Sequence, residues 1–318
     1  MSRVYLDHAS ASPLRASARA ALVEWLDVTG DPGRVHTEGL TARVALEDAR
    51  ERVATFFGAR PREVVFTSGA TEAINAACFG AAQRTPGGAF VAAAVEHSAV
   101  RVASQRHGEV RVPAVDGLGR IDLDAVRGAL DASRDVALVH CQLANHEVAT
   151  LQPVDDLVAL CRERGVLLHV DAAAAAGVHP IAFKDSGVDL LSLSAHKMGG
   201  PLGVGALLVR RGLRLDPLLL GGDQERARRA GLESLALVEA WAAVCDELAT
   251  SQGAEADAAR TQTERVHASL AGFDYVTRYG DQHNRAANIA CFGVDGVEAE
   301  AVVLGLDPSG IAVHSGSA

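Results

Sequence analysis

A lysine and an aspartate follow two neighbouring apolar runs in this 318-residue chain. Lys197 closes the sequence Ser-Ala-His-Lys after the run 188–193, and Asp171 ends the run 166–170. A lysine amine forms a Schiff base with the aldehyde of pyridoxal 5'-phosphate (PLP), while a carboxylate keeps the pyridine nitrogen of that cofactor protonated. The pair therefore predicts PLP as the cofactor.

Residues 67–72, Thr-Ser-Gly-Ala-Thr-Glu, follow a predicted strand and open a predicted helix. A helix N-terminus offers free N–H groups and a positive dipole end, which suit a phosphate. Gly69 lets the backbone approach a ligand closely, and Thr71 adds a hydroxyl. An ordinary helix cap would use the same residue types. The presence of Asp171 and Lys197 favours the phosphate interpretation.

Three further polar side chains lie at ends of predicted strands. His97 has an imidazole that can stack on a cofactor ring and move protons near neutral pH. Ser194 and His196 flank Lys197 and can donate hydrogen bonds to a phosphate. The alternatives are a surface histidine at 97 and, at 194 and 196, side chains that satisfy strand-end backbone groups.

Bulk properties exclude several classes of protein. The net charge is −10 without a basic block, which disfavours nucleic-acid binding. The sequence contains no uninterrupted run of about 18 apolar residues, so no membrane span is predicted. The first residues do not resemble a signal peptide, and we therefore expect a cytoplasmic protein. Five widely spaced cysteines in apolar segments indicate reduced thiols and no metal site. They are Cys78, Cys141, Cys161, Cys245 and Cys291.

Strand-like and helix-like segments alternate along the first two thirds of the chain. The predicted strands are 64–67, 89–95, 136–141, 166–170, 188–193 and 204–209, and the predicted helices include 70–82 and 154–164. This alternation predicts an α/β sheet covered by helices on both faces, and the strand that directly follows another predicts a mixed sheet. A long helical stretch, 231–270, then leads to 275–277, 288–292, 298–306 and 311–313, which predict a small α+β domain.

These motifs, in this order, resemble the class V aminotransferase family of PLP enzymes, and within it the cysteine desulfurases. The resemblance runs from Val4 to Ala318 and includes Tyr-Leu-Asp-His-Ala at 5–9, Glu-His at 96–97, Ala-Asn-His-Glu at 144–147 and His-Val-Asp-Ala at 169–172. It implies the PLP-dependent transferase fold type I, with a large mixed-sheet domain, 13–245, and a small domain from 1–12 and 246–318.

The resemblance also implies roles. Lys197 would be the Schiff-base lysine, Asp171 the partner of the pyridine nitrogen, and His97 the group that stacks on the ring and transfers protons. The phosphate would be held by Ala70, Thr71, Ser194 and His196. Family members form homodimers, take sulfur from L-cysteine, release alanine, and pass a persulfide to acceptor proteins of iron–sulfur cluster or thio-cofactor synthesis.

The chain departs from the family pattern at three polar contacts. His146 replaces an asparagine, Ala174 replaces a glutamine that bonds the phenolic oxygen of PLP, and Leu232 replaces a threonine that reaches the neighbouring subunit's phosphate. We hypothesise that His146 bonds the phenolic oxygen across the space that Ala174 leaves.

The family motif Ser-Gly-Ser-Ala-Cys supplies the persulfide cysteine, and the sequence given ends at Ser317-Ala318 of that motif. The family's arginine for the substrate carboxylate also lies past this point. We expect a cysteine desulfurase that lacks its C-terminal tail here. The alternatives are a PLP-dependent C–S lyase, a weakly active paralogue without the persulfide cysteine, and a non-catalytic binding partner.

Overall fold

The computed structural model describes residues 3–132 and 135–316. Ser317 and Ala318, the last residues of the predicted loop motif, lie outside the described residues. The strands are β1 (Val4–Tyr5), β2 (Val64–Thr67), β3 (Ala89–Val91), β4 (Val110–Arg111), β5 (Val136–Gln142), β6 (Leu168–Asp171), β7 (Leu190–Ser194), β8 (Gly205–Val209), β9 (Val276–Arg278), β10 (Phe292–Val294) and β11 (Ile311–Ala312). The helices are α1 (Ala16–Leu26), α2 (Thr37–Phe56), α3 (Ala70–Arg84), α4 (Ser98–His107), α5 (Leu123–Asp131), α6 (Val154–Arg164), α7 (Phe183–Ser186), α8 (Gln224–Ala227), α9 (Leu235–Leu270) and α10 (Ala299–Leu306).

A seven-stranded sheet, counted over the described residues, has the order β2-β8-β7-β6-β5-β3-β4. Strand β8 is antiparallel to both of its neighbours, and the other pairs are parallel. The predicted mixed α/β sheet is confirmed. Because β2 and β7 flank an antiparallel strand, they run in the same direction as β5 and β6. The carboxyl ends of these four strands therefore share one edge, where open α/β sheets bind ligands.

Helices cover both faces of this sheet, as the alternation of segments predicts. The period of two in a strand sends successive side chains to opposite faces. In β2, Val64 and Phe66 join the core cluster that contains Trp241 of α9, whereas Val65 joins the cluster that contains Ile74 of α3. Strand β2 is thus buried on both sides, which explains why it reads as a continuous apolar run.

Helix α9 carries the chain from the large sheet to the C-terminal elements. It is one helix of 36 residues, in agreement with the long helical stretch of the sequence. Strands β9 and β10 then form an antiparallel pair, and β11 pairs in parallel with β1. No helix of the described residues is long and apolar enough to cross a membrane.

Two predicted strands differ most from the observed ones. The strand expected over 89–95 ends at Val91, because the chain turns there and Glu96 donates its N–H to the carbonyl of Ala93. The strand expected over 288–292 begins only at Phe292. The residues before it pack against the loop after β5 instead, where Ala286 donates its N–H to the carbonyl of Ala149.

A buried ion pair anchors the loop that precedes α9. The guanidinium of Arg50 bonds both carboxylate oxygens of Glu225 at 2.7 Å and lies 4.7 Å from the ring centroid of Phe66. Glu225, Arg226 and Ala227 all have positive φ angles, of 48°, 59° and 60°. Such backbone strain persists only where surrounding contacts impose it. The ion pair is one of the contacts that hold this turn, together with the N–H of Phe66, which donates to Oε2 of Glu225 at 2.9 Å.

We expect Glu225→Gln to lower the free energy of unfolding by about 3 kcal/mol, because it removes the buried carboxylate that faces the buried Arg50 charge. Urea unfolding monitored by circular dichroism measures the change. Glu47→Gln is the matched control, since Glu47 also pairs with Arg50 but is 44% exposed. It should cost less than about 1 kcal/mol. Equal losses in the two variants would contradict the assignment.

Candidate active site

A cavity of about 490 Å³ opens at the carboxyl ends of β2, β5, β6 and β7. All eight residues that the sequence analysis selects line it: Ala70, Thr71, His97, His146, Asp171, Ser194, His196 and Lys197. They come from five separate segments of the chain. The cavity is therefore the candidate site.

Asp171, the last residue of β6, is nearly buried at 9% exposure. Its Oδ1 accepts hydrogen bonds from the hydroxyl of Ser192 at 2.8 Å and from the N–H of Ala173 at 3.1 Å. Two donors on one oxygen fix the orientation of the carboxylate. Such a group is suited to hold a cationic or N–H ligand atom.

Lys197 lies in the short 3-10 turn Ala195–Met198 that directly follows β7. Burial lowers the pKa of Lys197, and the nearby charges of Asp171 and Asp7 partly oppose that shift. A lowered pKa increases the fraction of neutral amine, which is the form that attacks a carbonyl.

The N-terminus of α3 opens onto the same cavity. No side chain caps this helix, and its cap residue, Gly69, has a φ of 151°. That backbone angle favours glycine. The uncapped N–H groups of Ala70 and Thr71 suit an anion. Nearby, Ser194 Oγ lies 2.8 Å from His196 Nδ1. This end of the cavity fits a phosphate.

His97 caps helix α4 through its ring. Its Nδ1 accepts the N–H of Ala99 at 3.1 Å, so the ring proton of the neutral form is on Nε2. Burial lowers the pKa of His97, and Asp171 partly counteracts that shift. The imidazole is accordingly neutral near pH 7 and presents one N–H that it can donate.

His146 lies beside His97, with ring centroids 5.3 Å apart. Burial, together with the charge of His97, lowers the pKa of His146 to about 4. Gln142 gives its Nε2 to the carbonyl of Val95 at 3.0 Å, so its Oε1 faces His146 Nδ1 at 3.4 Å. Nδ1 is then the donor of a long hydrogen bond, and Nε2 of His146, which lies 3.8 Å from Oε1 of Glu147, carries the lone pair of the neutral ring.

Ser10, Gln142 and His314 are polar lining residues that the sequence analysis did not select as site residues. Gln142 had a usable signal, because it is a polar residue that directly ends the apolar strand β5. Ser10 and His314 lie in irregular segments whose positions depend on distant contacts. Nothing local in the sequence distinguishes them.

Glu96 is a buried acid next to this group. Its Oε1 accepts the N–H of Gln142 at 2.9 Å, and its Oε2 has no hydrogen-bond partner among the described residues. Burial raises the pKa of Glu96 to about 8, and the charge of Asp171 adds to the shift. The carboxyl is therefore protonated at neutral pH.

Comparisons with known proteins agree with this geometry. A family model described as Aminotransferase class-V matches residues 4–318. A cysteine desulfurase from Cereibacter sphaeroides is 39% identical over 328 residues, which cover 100% of this chain and 83% of that protein. A solved NifS-like protein superposes with a TM-score of 0.92 at 27% identity, covering 98% of this chain and 87% of that one. SspA in complex with cysteine gives a TM-score of 0.84 at 27% identity, with coverages of 96% and 87%.

Protonation of Glu96 makes stability depend on pH. The unfolded group titrates near 4.5 and the folded one near 8, so its stabilisation is complete below pH 4.5 and is lost as pH rises to about 8. We expect Glu96→Gln to be more stable than the unchanged protein at pH 8, by about 2 kcal/mol, with a smaller difference at pH 5. Chemical unfolding at both pH values tests this. Glu163→Gln, an exposed control, should change stability by less than about 0.5 kcal/mol at either pH. A Glu96→Gln benefit that does not grow with pH would refute the protonated state.

Proposed function

This chain belongs to the aminotransferase class-V family, and from that premise we propose that it is a PLP-dependent cysteine desulfurase. The observation that carries the proposal is the meeting of Asp171, Lys197 and the uncapped N-terminus of α3 around one cavity. The full-length similarity to a named cysteine desulfurase supports the substrate, as does the likeness to SspA in complex with cysteine.

The chemistry of these groups fits PLP. We assign the pyridine nitrogen to Asp171, whose Oδ1 is already held by two donors, and the aldehyde to the amine of Lys197. The phosphate is assigned to the uncapped N-terminus of α3 and to the two side chains on either side of Ala195, the first residue of the turn that carries Lys197. Those phosphate residues are Ala70, Thr71, Ser194 and His196. Bound PLP supplies an electron sink for bond changes next to the substrate's Cα.

The protein's own groups prepare that chemistry by their charge states. The Asp171 carboxylate favours a protonated pyridine nitrogen, which makes the ring a stronger electron sink. Burial favours the neutral amine of Lys197, as attachment of the aldehyde requires. His97 holds a proton on Nε2 and is proposed to donate it to the reacting substrate.

In the proposed reaction the C–S bond of L-cysteine breaks, the sulfur passes to a thiol as a persulfide, and the carbon skeleton leaves as alanine. The acceptor must react as a thiolate. Burial raises the pKa of all five cysteines of this sequence, to about 12 for Cys78 and Cys161. We therefore propose that the acceptor is a thiol other than these five. A homodimer, the two-domain division at 12/13 and 245/246, a sulfur-acceptor protein and a cytoplasmic location stay predictions.

Lys197→Ala tests the proposal directly. We expect the unchanged protein, given PLP, L-cysteine and dithiothreitol as the external thiol, to form alanine and sulfide in equal amounts. The variant should lose covalent PLP attachment, measured by borohydride reduction and mass spectrometry, and form no alanine. Lys184→Ala, on the outer helix α7, is the control that should keep both. Covalent PLP in the Lys197 variant would overturn the lysine assignment. Pyruvate in place of alanine would identify a C–S lyase instead.

His146→Asn tests the contact proposed for the phenolic oxygen of PLP. With its proton on Nδ1, His146 can only accept a hydrogen bond at Nε2, which favours the protonated phenol. An asparagine amide can donate, and so favours the phenolate. We expect the variant to move the pH midpoint of the bound cofactor's absorbance to lower pH, and His146→Ala to move it in the same direction by less. An unchanged midpoint in both would remove His146 from this role.

A further inference from the structure

Residues 3–15, here called the N-terminal strap, contain strand β1 and then run along the turn that carries Lys197, here called the lysine turn. The backbone carbonyls of residues 196–199 each accept one hydrogen bond from this strap. Ser12 gives its N–H to the first carbonyl at 3.0 Å and its hydroxyl to the second at 2.9 Å. Arg15 gives Nε to the third at 3.0 Å and its N–H to the fourth at 2.9 Å. Two residues therefore satisfy four consecutive carbonyls.

The lysine turn needs these donors because it is too short to satisfy itself. At its end, the N–H groups of Gly199 and Gly200 both turn back to the carbonyl of Ala195. A single 3-10 turn also has poorer hydrogen-bond geometry than an α-helix. The strap therefore supplies hydrogen-bond donors to the carbonyls of the backbone that orients the Lys197 side chain.

The contact between the strap and the turn is close. Gly199 has a φ of 84°, and a Cβ at that position would lie 2.7 Å from Cγ of Arg15. Only glycine fits both the backbone angle and the packing. Within the strap, the hydroxyl of Tyr5 lies 2.9 Å from the carbonyl of Asp7 and 2.8 Å from that of Ala11. The strap is thus a bonded structure of its own.

Arg15 also reaches helix α9. Its NH1 bonds Glu247 at 2.6 Å and Glu255 at 3.0 Å, and its NH2 bonds Glu255 at 2.5 Å. The hydroxyl of Ser251 supports Glu255 at 2.6 Å. One guanidinium therefore joins the carbonyl of Met198, next to Lys197, with two carboxylates two helical turns apart on α9. A rigid planar fork suits such a junction, which a lysine ammonium could not reproduce.

We propose that Ser12 and Arg15 are positioning residues for Lys197, and that Arg15 couples the lysine turn to the position of α9. The inference rests on the proposed role of Lys197 as the PLP-binding residue. Placement within a fraction of an ångström governs both attachment and reaction of such a group. Loss of the strap's hydrogen bonds should therefore loosen PLP attachment beyond any loss of global stability.

The test compares Ser12→Ala and Arg15→Met with Arg52→Met. Arg52 is the matched control, because it also bonds two acids on α9, Glu239 at 2.9 Å and Asp246 at 2.6 Å, but makes no hydrogen bond to the lysine turn. The readout is the rate at which excess hydroxylamine removes bound PLP, followed by absorbance. We expect about a tenfold increase for Ser12→Ala and for Arg15→Met, the factor that one lost hydrogen bond to a charged or buried group commonly produces. Ser12→Thr, which keeps the hydroxyl, should stay within about twofold, and Arg52→Met should not change the rate.

A Glu247→Gln/Glu255→Gln double variant isolates the coupling to α9, since it leaves the bond from Arg15 to the Met198 carbonyl in place. An increase in release rate between those of Arg52→Met and Arg15→Met would support the coupling, and a rate equal to that of Arg52→Met would overturn it. If Arg15→Met does not fold, Ser12→Ala decides the positioning role alone. If PLP attaches at Lys197 but Ser12→Ala and Arg52→Met release it at the same rate, the inference is overturned and the proposed function is not. Failure of the unchanged protein to attach PLP at Lys197 overturns the proposed function, and the inference with it.

Discussion

The two halves of the site can lie close together because the backbones of Gly69 and Gly205 are in contact. A Cβ on Gly205 of β8 would lie 2.6 Å from Cα of Gly69 and would also strike the carbonyl oxygen of Leu193. Strand β8 pairs with β2 on one side and with β7 on the other. Its first residue, Gly205, therefore lies between the N-terminus of α3 and the lysine turn, and it separates them by a backbone without a side chain. Any side chain at that point would widen the gap between the two halves of the cavity.

Burial sets the charge states around the cavity. It lowers the pKa of His97, His146 and Lys197 and raises that of Glu96, so each of these groups is biased toward its neutral form. The carboxylate of Asp171 opposes the first three shifts and adds to the fourth. The negative charge of Asp171 thus raises the pKa of all four groups. A carboxylate in this position is suited to the protonated pyridine nitrogen that we propose it binds.

The sequence predicts those parts of the structure that local patterns encode. Strand β2 and helix α6 have the bounds that their apolar patterns predict, Val64–Thr67 and Val154–Arg164. The eight candidate residues meet because each ends or follows a strand, or opens a helix, at the edge where the carboxyl ends of β2, β5, β6 and β7 lie. By contrast, the contact of Ser12 with the Lys197 carbonyl spans 185 positions in the sequence, and no periodicity records it. The protonation of Glu96 likewise depends on burial by segments from elsewhere in the chain.

Helix α9 meets Arg15 near its centre. Its 36 residues correspond to a length of about 54 Å at the usual rise per residue. Glu247 and Glu255, the two acids that bond Arg15, lie close to the midpoint of Leu235–Leu270. The first half of the helix contributes buried residues to the main core from Val238 to Leu248, whereas the second half is mostly exposed or half-buried. The Arg15 contacts therefore lie where the helix leaves the core of the large sheet, so that one side chain marks the junction between the lysine turn and the C-terminal elements.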